Sequence, residues 1–137
     1  MYTLEEIKAL QQKCETLELE GVEVLKRFNH SELQVHCNGI GPANFPDGVR
    51  KIFSAMHPSL EPAAFIHDAE WSGTECSREH FSAANERFRR NGITCAKAAY
   101  KWYNPLRYLV MNQARRFANY CDCFGFRFYS GGKVCTE

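Results

Sequence analysis

The stretch AFIHDAEWSG, residues 64–73, sets His67 and Asp68 side by side in an otherwise apolar run, with Trp71 about one helical turn further on. Successive residues on an α-helix point about 100° apart. If the stretch is helical, the two titratable groups therefore face different surroundings. A neutral imidazole can take a proton from water when a partner holds its other nitrogen. Asp68 is badly placed to be that partner, so the orienting group for His67 has to come from another helix. Asp68, pointing elsewhere, is left to act as a ligand. Taken alone, a histidine on an apolar face is ordinarily a satisfied core residue.

Outward from this stretch, the pattern is helical. Ser59 or Leu60 to about Ser72 reads as one helix. Ser77, followed by Glu79 and His80, opens the next, in which Phe81, Ala84 and Phe88 share a face and Gly92 marks the expected stop. Residues 94–120 read as helical with a break or kink at Asn104-Pro105. On the N-terminal side, Ile7, Leu10, Cys14, Leu17, Gly21, Val24 and Phe28 recur at spacings of 3 and 4, which predicts one helix over 4–28. Thr3 and Glu6 resemble a capping box at its start. Such a stripe suits packing on the domain better than a short coiled coil, because Gly21 is a poor seam residue. The segment NHSELQVHCNGIGPANFPD, residues 29–47, reads as an irregular loop rich in glycine and proline, and Asp47 suits the cap of a short helix running to about Ala55. The aromatic-rich tail CDCFGFRFYSGGK suits a short strand or an extended wrap over the core.

With 137 residues the chain fits a single domain, 1–137, in which 1–30 forms an N-terminal helical extension. A net charge of +1 does not by itself imply a polyanionic partner, but the charge is unevenly spread. Acids crowd residues 1–23, whereas Arg87, Arg89, Arg90, Lys97, Lys101, Arg107, Arg115 and Arg116 crowd residues 86–116. The plain explanation is pairing of this basic stretch with the acidic N-terminal segment; the sharper one is a surface for an anionic ligand. The start MYTLEEIKAL carries acids where a secretory signal has bases, and no run has the length of a membrane span. The chain is therefore expected to be cytoplasmic as synthesised, with its seven cysteines mostly reduced and packed as small hydrophobes.

The loop offers chemistry of its own. Two glycines two apart, in CNGIGP, let the backbone turn tightly and aim carbonyls at one point. A hard cation such as Ca²⁺ takes 6–8 oxygens, and main-chain carbonyls with one carboxylate suit it. Asp68 is the natural carboxylate if the loop folds onto its helix. The plain reading of Gly-x-Gly-Pro is a turn.

Together, CNGIGP, FIHDAEW and REHFSAANERF resemble the phospholipase A2 superfamily, and more closely its phage-encoded members. The resemblance covers about residues 36–132, including NQARRFANYCDCFGFRFYSGG. It implies an all-α, phospholipase A2-like fold with two antiparallel core helices, a glycine-rich loop and an extra N-terminal helix. It implies that Cys37, Gly39 and Gly41 present carbonyls to Ca²⁺, that Asp68 chelates it, and that His67 is the general base. Trp71 stands where the family has tyrosine. The implied activity is calcium-dependent hydrolysis of phospholipid sn-2 esters by a phage or mobile-element protein, with phospholipid or an anionic membrane surface as partner.

The departures bear on activity. Asn85, in AANERF, stands where the family has the aspartate that orients the histidine. An amide oxygen can accept from the imidazole but carries no charge to stabilise an imidazolium. In serine proteases, the equivalent Asp-to-Asn change lowers turnover about 10⁴-fold. Asp122 is a candidate substitute, whereas Glu86 points off the face. Ile40 replaces the usual loop cysteine, Ala63 and Ala64 stand where the family has a cysteine, and the Gly41-to-His67 spacing is longer than in the compact secreted enzymes. A catalytically inactive relative, serving as a binding or structural protein, is the alternative. Among other constellations, Cys76 with His80, His36-Cys37 and Cys121-x-Cys123 offer zinc-ligand types without paired C-x₂-C elements. The basic aromatic stretches match no nucleic-acid motif, so nucleic acid is not an expected partner. Nothing in the sequence specifies an oligomeric state.

Overall fold

The structure, a computed structural model, describes residues 2–37, 55–131 and 133–136. Among the described residues it is helical without a strand. The elements are α1 (Leu4–Thr16), α2 (Val22–Leu25), α3 (His30–His36), a 3-10 turn (Pro58–Leu60), α4 (Glu61–Ser72), α5 (Arg78–Ala99), α6 (Pro105–Phe124) and α7 (Phe126–Tyr129). The helix expected from Asp47 lies outside the described residues, as does the glycine-rich turn. The remainder of the fold agrees with the all-α expectation.

The helix that carries His67 is the centre of the molecule. It packs against α1, α2 and α3 on one side and against α5 on the other, while α5 and α6 form the most extensive helix pair. Every residue from Phe65 through Trp71 is buried. A helix covered all round shows no clean apolar stripe, which is why its sequence reads as a run interrupted by polar residues. Its start is set by Pro62 in the first turn, where the missing N–H costs nothing. The 3-10 turn before it is capped by His57, whose Nδ1 accepts from the Ser59 backbone N–H at 3.1 Å.

The next helix begins as expected. The Ser77 hydroxyl accepts from the His80 N–H at 3.0 Å, an N-cap. It does not stop at Gly92, however, but runs on to Ala99. Gly92 has a packing role instead. A Cβ added there would stand 2.5 Å from the Ala114 Cβ of α6, so the missing side chain is what lets α5 and α6 approach. The predicted helix over 94–120 is thus the end of α5, a turn at 100–104 and then α6. Asn104 caps α6 by accepting from the Leu106 N–H at 3.0 Å, and Pro105 occupies its first position.

The single N-terminal helix expected over 4–28 is broken after Thr16. Glu18 (φ 54°) and Gly21 (φ 89°) adopt left-handed backbone that a continuous helix excludes. The break is held from a distance. Asn91 of α5 accepts from the Glu20 N–H at 2.9 Å and donates to the Glu20 carbonyl at 2.8 Å. At Gly21 a Cβ would also stand 3.0 Å from Ile66 Cγ2 and 3.1 Å from Glu70 Oε1. Part of the segment expected as loop is helix, because Asn29 caps α3 by accepting from the Glu32 N–H at 2.8 Å. Ile7, Cys14, Leu25 and Leu33 sit in the same core cluster as Phe65 and Phe88, so the N-terminal segment is an integral layer of the fold.

The tail forms α7 and then an extended wrap. Cys76 and Cys135 form a disulfide across 59 residues, correcting the expectation of reduced thiols at these two positions. Alongside it, the Thr136 N–H donates to the Cys76 carbonyl at 2.8 Å. The Lys133 ammonium donates to the Trp71 carbonyl at the end of α4. Cys14, Cys37, Cys95 and Cys121 are buried thiols, as expected, and Cys123 is exposed. No helix among the described residues is long and apolar enough to cross a membrane.

In an unconstrained helix interior, Gly→Ala stabilises by about 1 kcal/mol. At position 92 the sign is expected to reverse. Gly92→Ala should destabilise the fold by about 1–3 kcal/mol through overpacking, and Ala114→Gly in the same chain should restore part of that loss. Urea unfolding of the two single variants and the double variant measures both.

Candidate functional site

α4 turns its adjacent polar residues to different neighbours. His67 faces α5, and its ring Nε2 lies 2.8 Å from Asn85 Oδ1. Asn85 is fully buried on the same α5 face as Phe81, Ala84 and Phe88, at the spacing that brings its amide level with the imidazole. Its own Nδ2 donates to Asp122 Oδ1 of α6 at 2.9 Å. The result is a chain, His67–Asn85–Asp122, contributed by three successive long helices.

This chain settles its own proton placement. A carboxylate only accepts, so Asp122 requires the NH₂ of Asn85, and the amide oxygen is thereby turned to the imidazole. The imidazole must then donate from Nε2, leaving Nδ1 as the bare, basic nitrogen. Asp122 thus fixes the tautomer of a ring it does not touch. Its own position is steadied by Arg89, which lies 3.4 Å from Asp122 Oδ2, donates to Asn119 Oδ1 at 2.8 Å, and pairs with Glu86.

The imidazole is 2% exposed and lies among three rings, with centroids 4.6 Å from Trp71, 5.4 Å from Phe88 and 5.8 Å from Phe117. Burial holds its pKa below the ordinary histidine range, opposed by the Asn85 hydrogen bond and by the charges of Glu70 and Asp122. The ring is therefore neutral at neutral pH, the form a general base needs. Trp71, carried over from the family's tyrosine position, meets the histidine by ring packing.

Asp68 has a different environment. Its residue is 8% exposed, and burial pushes its carboxyl up to about 8. Among the described residues its side chain takes part in no hydrogen bond or ion pair. The one bond at Asp68 is to its main chain, the Ser72 hydroxyl donating to its carbonyl at 2.8 Å. Its charge is felt by Tyr2, Cys37 and Cys121, in each case raising the neighbour's pKa. A buried carboxylate with no donor is costly unless a proton or a cation neutralises it. Such a carboxylate is one of the oxygen ligands a hard cation takes. Cys37, the C-terminal cap of α3, lies at the same place, its thiol 3.6 Å from the Phe65 carbonyl. Gly39 and Gly41, the other expected carbonyl donors, lie outside the described residues.

Glu70, two residues on, was not singled out from the sequence, yet it is the best satisfied of the three buried acids and bases on α4. Arg87 of α5 donates to it from Nε at 3.0 and 3.1 Å and from a terminal nitrogen at 2.5 Å. The zinc constellation is not assembled. Cys76 is in the disulfide, and His80 Nδ1 lies 2.5 Å from the Tyr129 hydroxyl. Among the described residues no group of three or more His, Cys, Asp and Glu is placed to hold a metal ion. Comparison with models of known protein families, with curated proteins and with solved structures yields no match.

The raised Asp68 pKa has a definite sign. The folded chain holds a proton that the unfolded chain releases near 3.8, so in the absence of divalent cations this group's contribution falls as pH rises from about 4 to about 8. Asp68→Asn removes that slope. Chemical unfolding followed from pH 4 to 8 in EDTA should show the variant gaining on the parent toward pH 8, by a few kcal/mol at most. A difference that stays flat across this range would refute the burial of an ionisable carboxyl at this position.

Proposed function

We propose that this chain is a calcium-dependent, phospholipase A2-type ester hydrolase acting on the sn-2 ester of phospholipids. The observation that carries the proposal is the pairing on one helix of a tautomer-fixed neutral imidazole with a buried carboxylate that has no partner among the described residues. In this reading His67 Nδ1 takes a proton from a water as that water attacks the ester carbonyl. The tetrahedral adduct then expels the sn-2 alcohol, which leaves with the proton returned by His67, giving a fatty acid and a lysophospholipid. Asp68 and the carbonyls of Cys37, Gly39 and Gly41 are the groups that would hold Ca²⁺. The chemistry a bound calcium supplies there is Lewis-acid polarisation of the carbonyl and stabilisation of the oxyanion.

Asn85 and Asp122 together do what one aspartate does in the family. The amide holds the ring, and the carboxylate holds the amide. The stabilising charge is one residue further out and 40% exposed on its side chain, so water screens it. A slow enzyme follows. The alternative, a silent relative that retains the scaffold for binding, is favoured by one observation: the ring is almost sealed by Trp71, Phe88 and Phe117.

Fatty-acid release from mixed micelles tests the choice. Calcium-dependent release that disappears in His67→Gln supports the enzyme, and its absence in the parent chain supports the silent relative. Asn85→Asp alone is expected to be slower than the parent, because it sets two carboxylates at the 2.9 Å contact now made by amide and acid. The exchange Asn85→Asp with Asp122→Asn keeps the hydrogen-bond chain and moves the charge against the ring. It is expected to raise kcat by about 10-fold or more over the parent.

A further inference from the structure

The charges and aromatic residues of the α5–α6 turn form a surface that the site does not use. The basic stretch divides in two. Its first part is paired: Arg87 with Glu70, Arg89 with Glu86 and Asp122, and Arg90 with Glu20 of the N-terminal segment. Its second part is not. Lys97, Lys101, Arg107, Arg115 and Arg116 form no ion pair among the described residues, and the sequence holds no Asp or Glu from 87 to 121. Beside these basic residues lie the largest exposed apolar side chains of the turn. Trp102 is 71% exposed, Leu109 64%, Tyr103 63% and Tyr108 53%.

The turn presents these groups on fixed backbone. The Tyr108 hydroxyl donates to the Trp102 carbonyl at 2.6 Å, the Asn104 N–H donates to the Lys101 carbonyl at 2.9 Å, and Asn104 caps α6. Trp102 and Tyr103 pack edge to face at 5.6 Å. Trp and Tyr combine an apolar body with a polar end, which suits the boundary between lipid headgroups and acyl chains. Unpaired Lys and Arg beside them suit anionic headgroups. A second copy of this chain is a poor occupant, since a symmetric contact would bring the same unpaired cations face to face. Asn85 lies fourteen residues back along α5, roughly 21 Å at 1.5 Å per residue, so this is a place apart from the histidine.

We infer that the α5–α6 turn is a docking surface for anionic lipid bilayers, with Trp102, Tyr108 and Leu109 entering the interface and Lys97, Lys101 and Arg107 meeting the headgroups. It does not depend on hydrolysis at His67. The test uses the full chain with vesicles of ether-linked phosphatidylcholine, with and without about one-third ether-linked phosphatidylserine, which contain no sn-2 ester. Cosedimentation should be at least about tenfold tighter on the anionic vesicles and should weaken with salt. Trp71 is buried, so a blue shift in tryptophan emission on binding reports Trp102. Trp102→Ser with Leu109→Ser, and separately Lys101→Glu with Arg107→Glu, should each lose about tenfold or more. His67→Gln should bind like the parent, which separates this surface from the proposed ester chemistry. Quenching of the parent's emission by lipids brominated in the upper acyl chain gives the same answer without a variant. Failure to bind anionic vesicles, equal binding to both vesicle types, or undiminished binding by Trp102→Ser with Leu109→Ser overturns the inference. So does a concentration-dependent dimer that Trp102→Ser with Leu109→Ser abolishes, which would make the turn a self-association face.

Discussion

The constraint on which the rest depends is that α4 is buried from Phe65 through Trp71 while carrying a histidine and two acids in that stretch. A buried polar group is tolerated when a partner meets it, and each unmet one costs on the order of 1–3 kcal/mol, more if charged. The neighbouring helices are built around that requirement. Arg87 of α5 answers Glu70 with a three-contact clasp. Asn85 of α5 answers His67, and Asp122 of α6 answers Asn85. Asp68 alone has no answering donor among the described residues. The packing of the long helices is thus also the wiring of the site, and displacing α5 or α6 would break both.

The same logic explains how the N-terminal and C-terminal segments are held. Asn91 takes both main-chain groups of Glu20, so the turn after α1 is fastened to the far helix rather than continuing as helix. Arg90 reaches the Glu20 side chain at the same spot. At the other end, Lys133 meets the Trp71 carbonyl in the last turn of α4 with a cation, where a helix terminus is partially negative. The Cys76–Cys135 bond pins the tail beside it. Partial burial holds Lys133 down to about 8, so that contact is strongest in neutral and acid solution. The N-terminal layer and the tail thus both pack against the histidine helix.

Much of this was legible in the chain. The helix around His67, the cap at Ser77, the all-α class and the stripe Ile7, Leu10, Cys14 all follow from local pattern, whereas the facing of His67 and Asn85 was implied by the family resemblance alone. Periodicity states which residues of a segment share a face, and caps state where a segment starts. Both are properties of a few consecutive residues, so reading the sequence recovers them.

What tertiary structure decided were the places where a distant group overrides local preference. The stripe over 4–28 predicts one helix, yet Asn91, some seventy residues away, makes a turn at Glu20 the better state. Gly92 resembles a helix stop by composition, but its missing Cβ is required by Ala114 across the helix pair. Cysteine pairing depends on which sulfurs meet after folding, and spacing alone cannot name Cys76 and Cys135. The role of Asp122 is of the same kind: it acts on His67 through Asn85, so no spacing between aspartate and histidine encodes it. The sequence by itself determined the helices and the faces they present. Only the folded chain determined which buried polar groups would meet, because that depends on distances between residues far apart along the backbone.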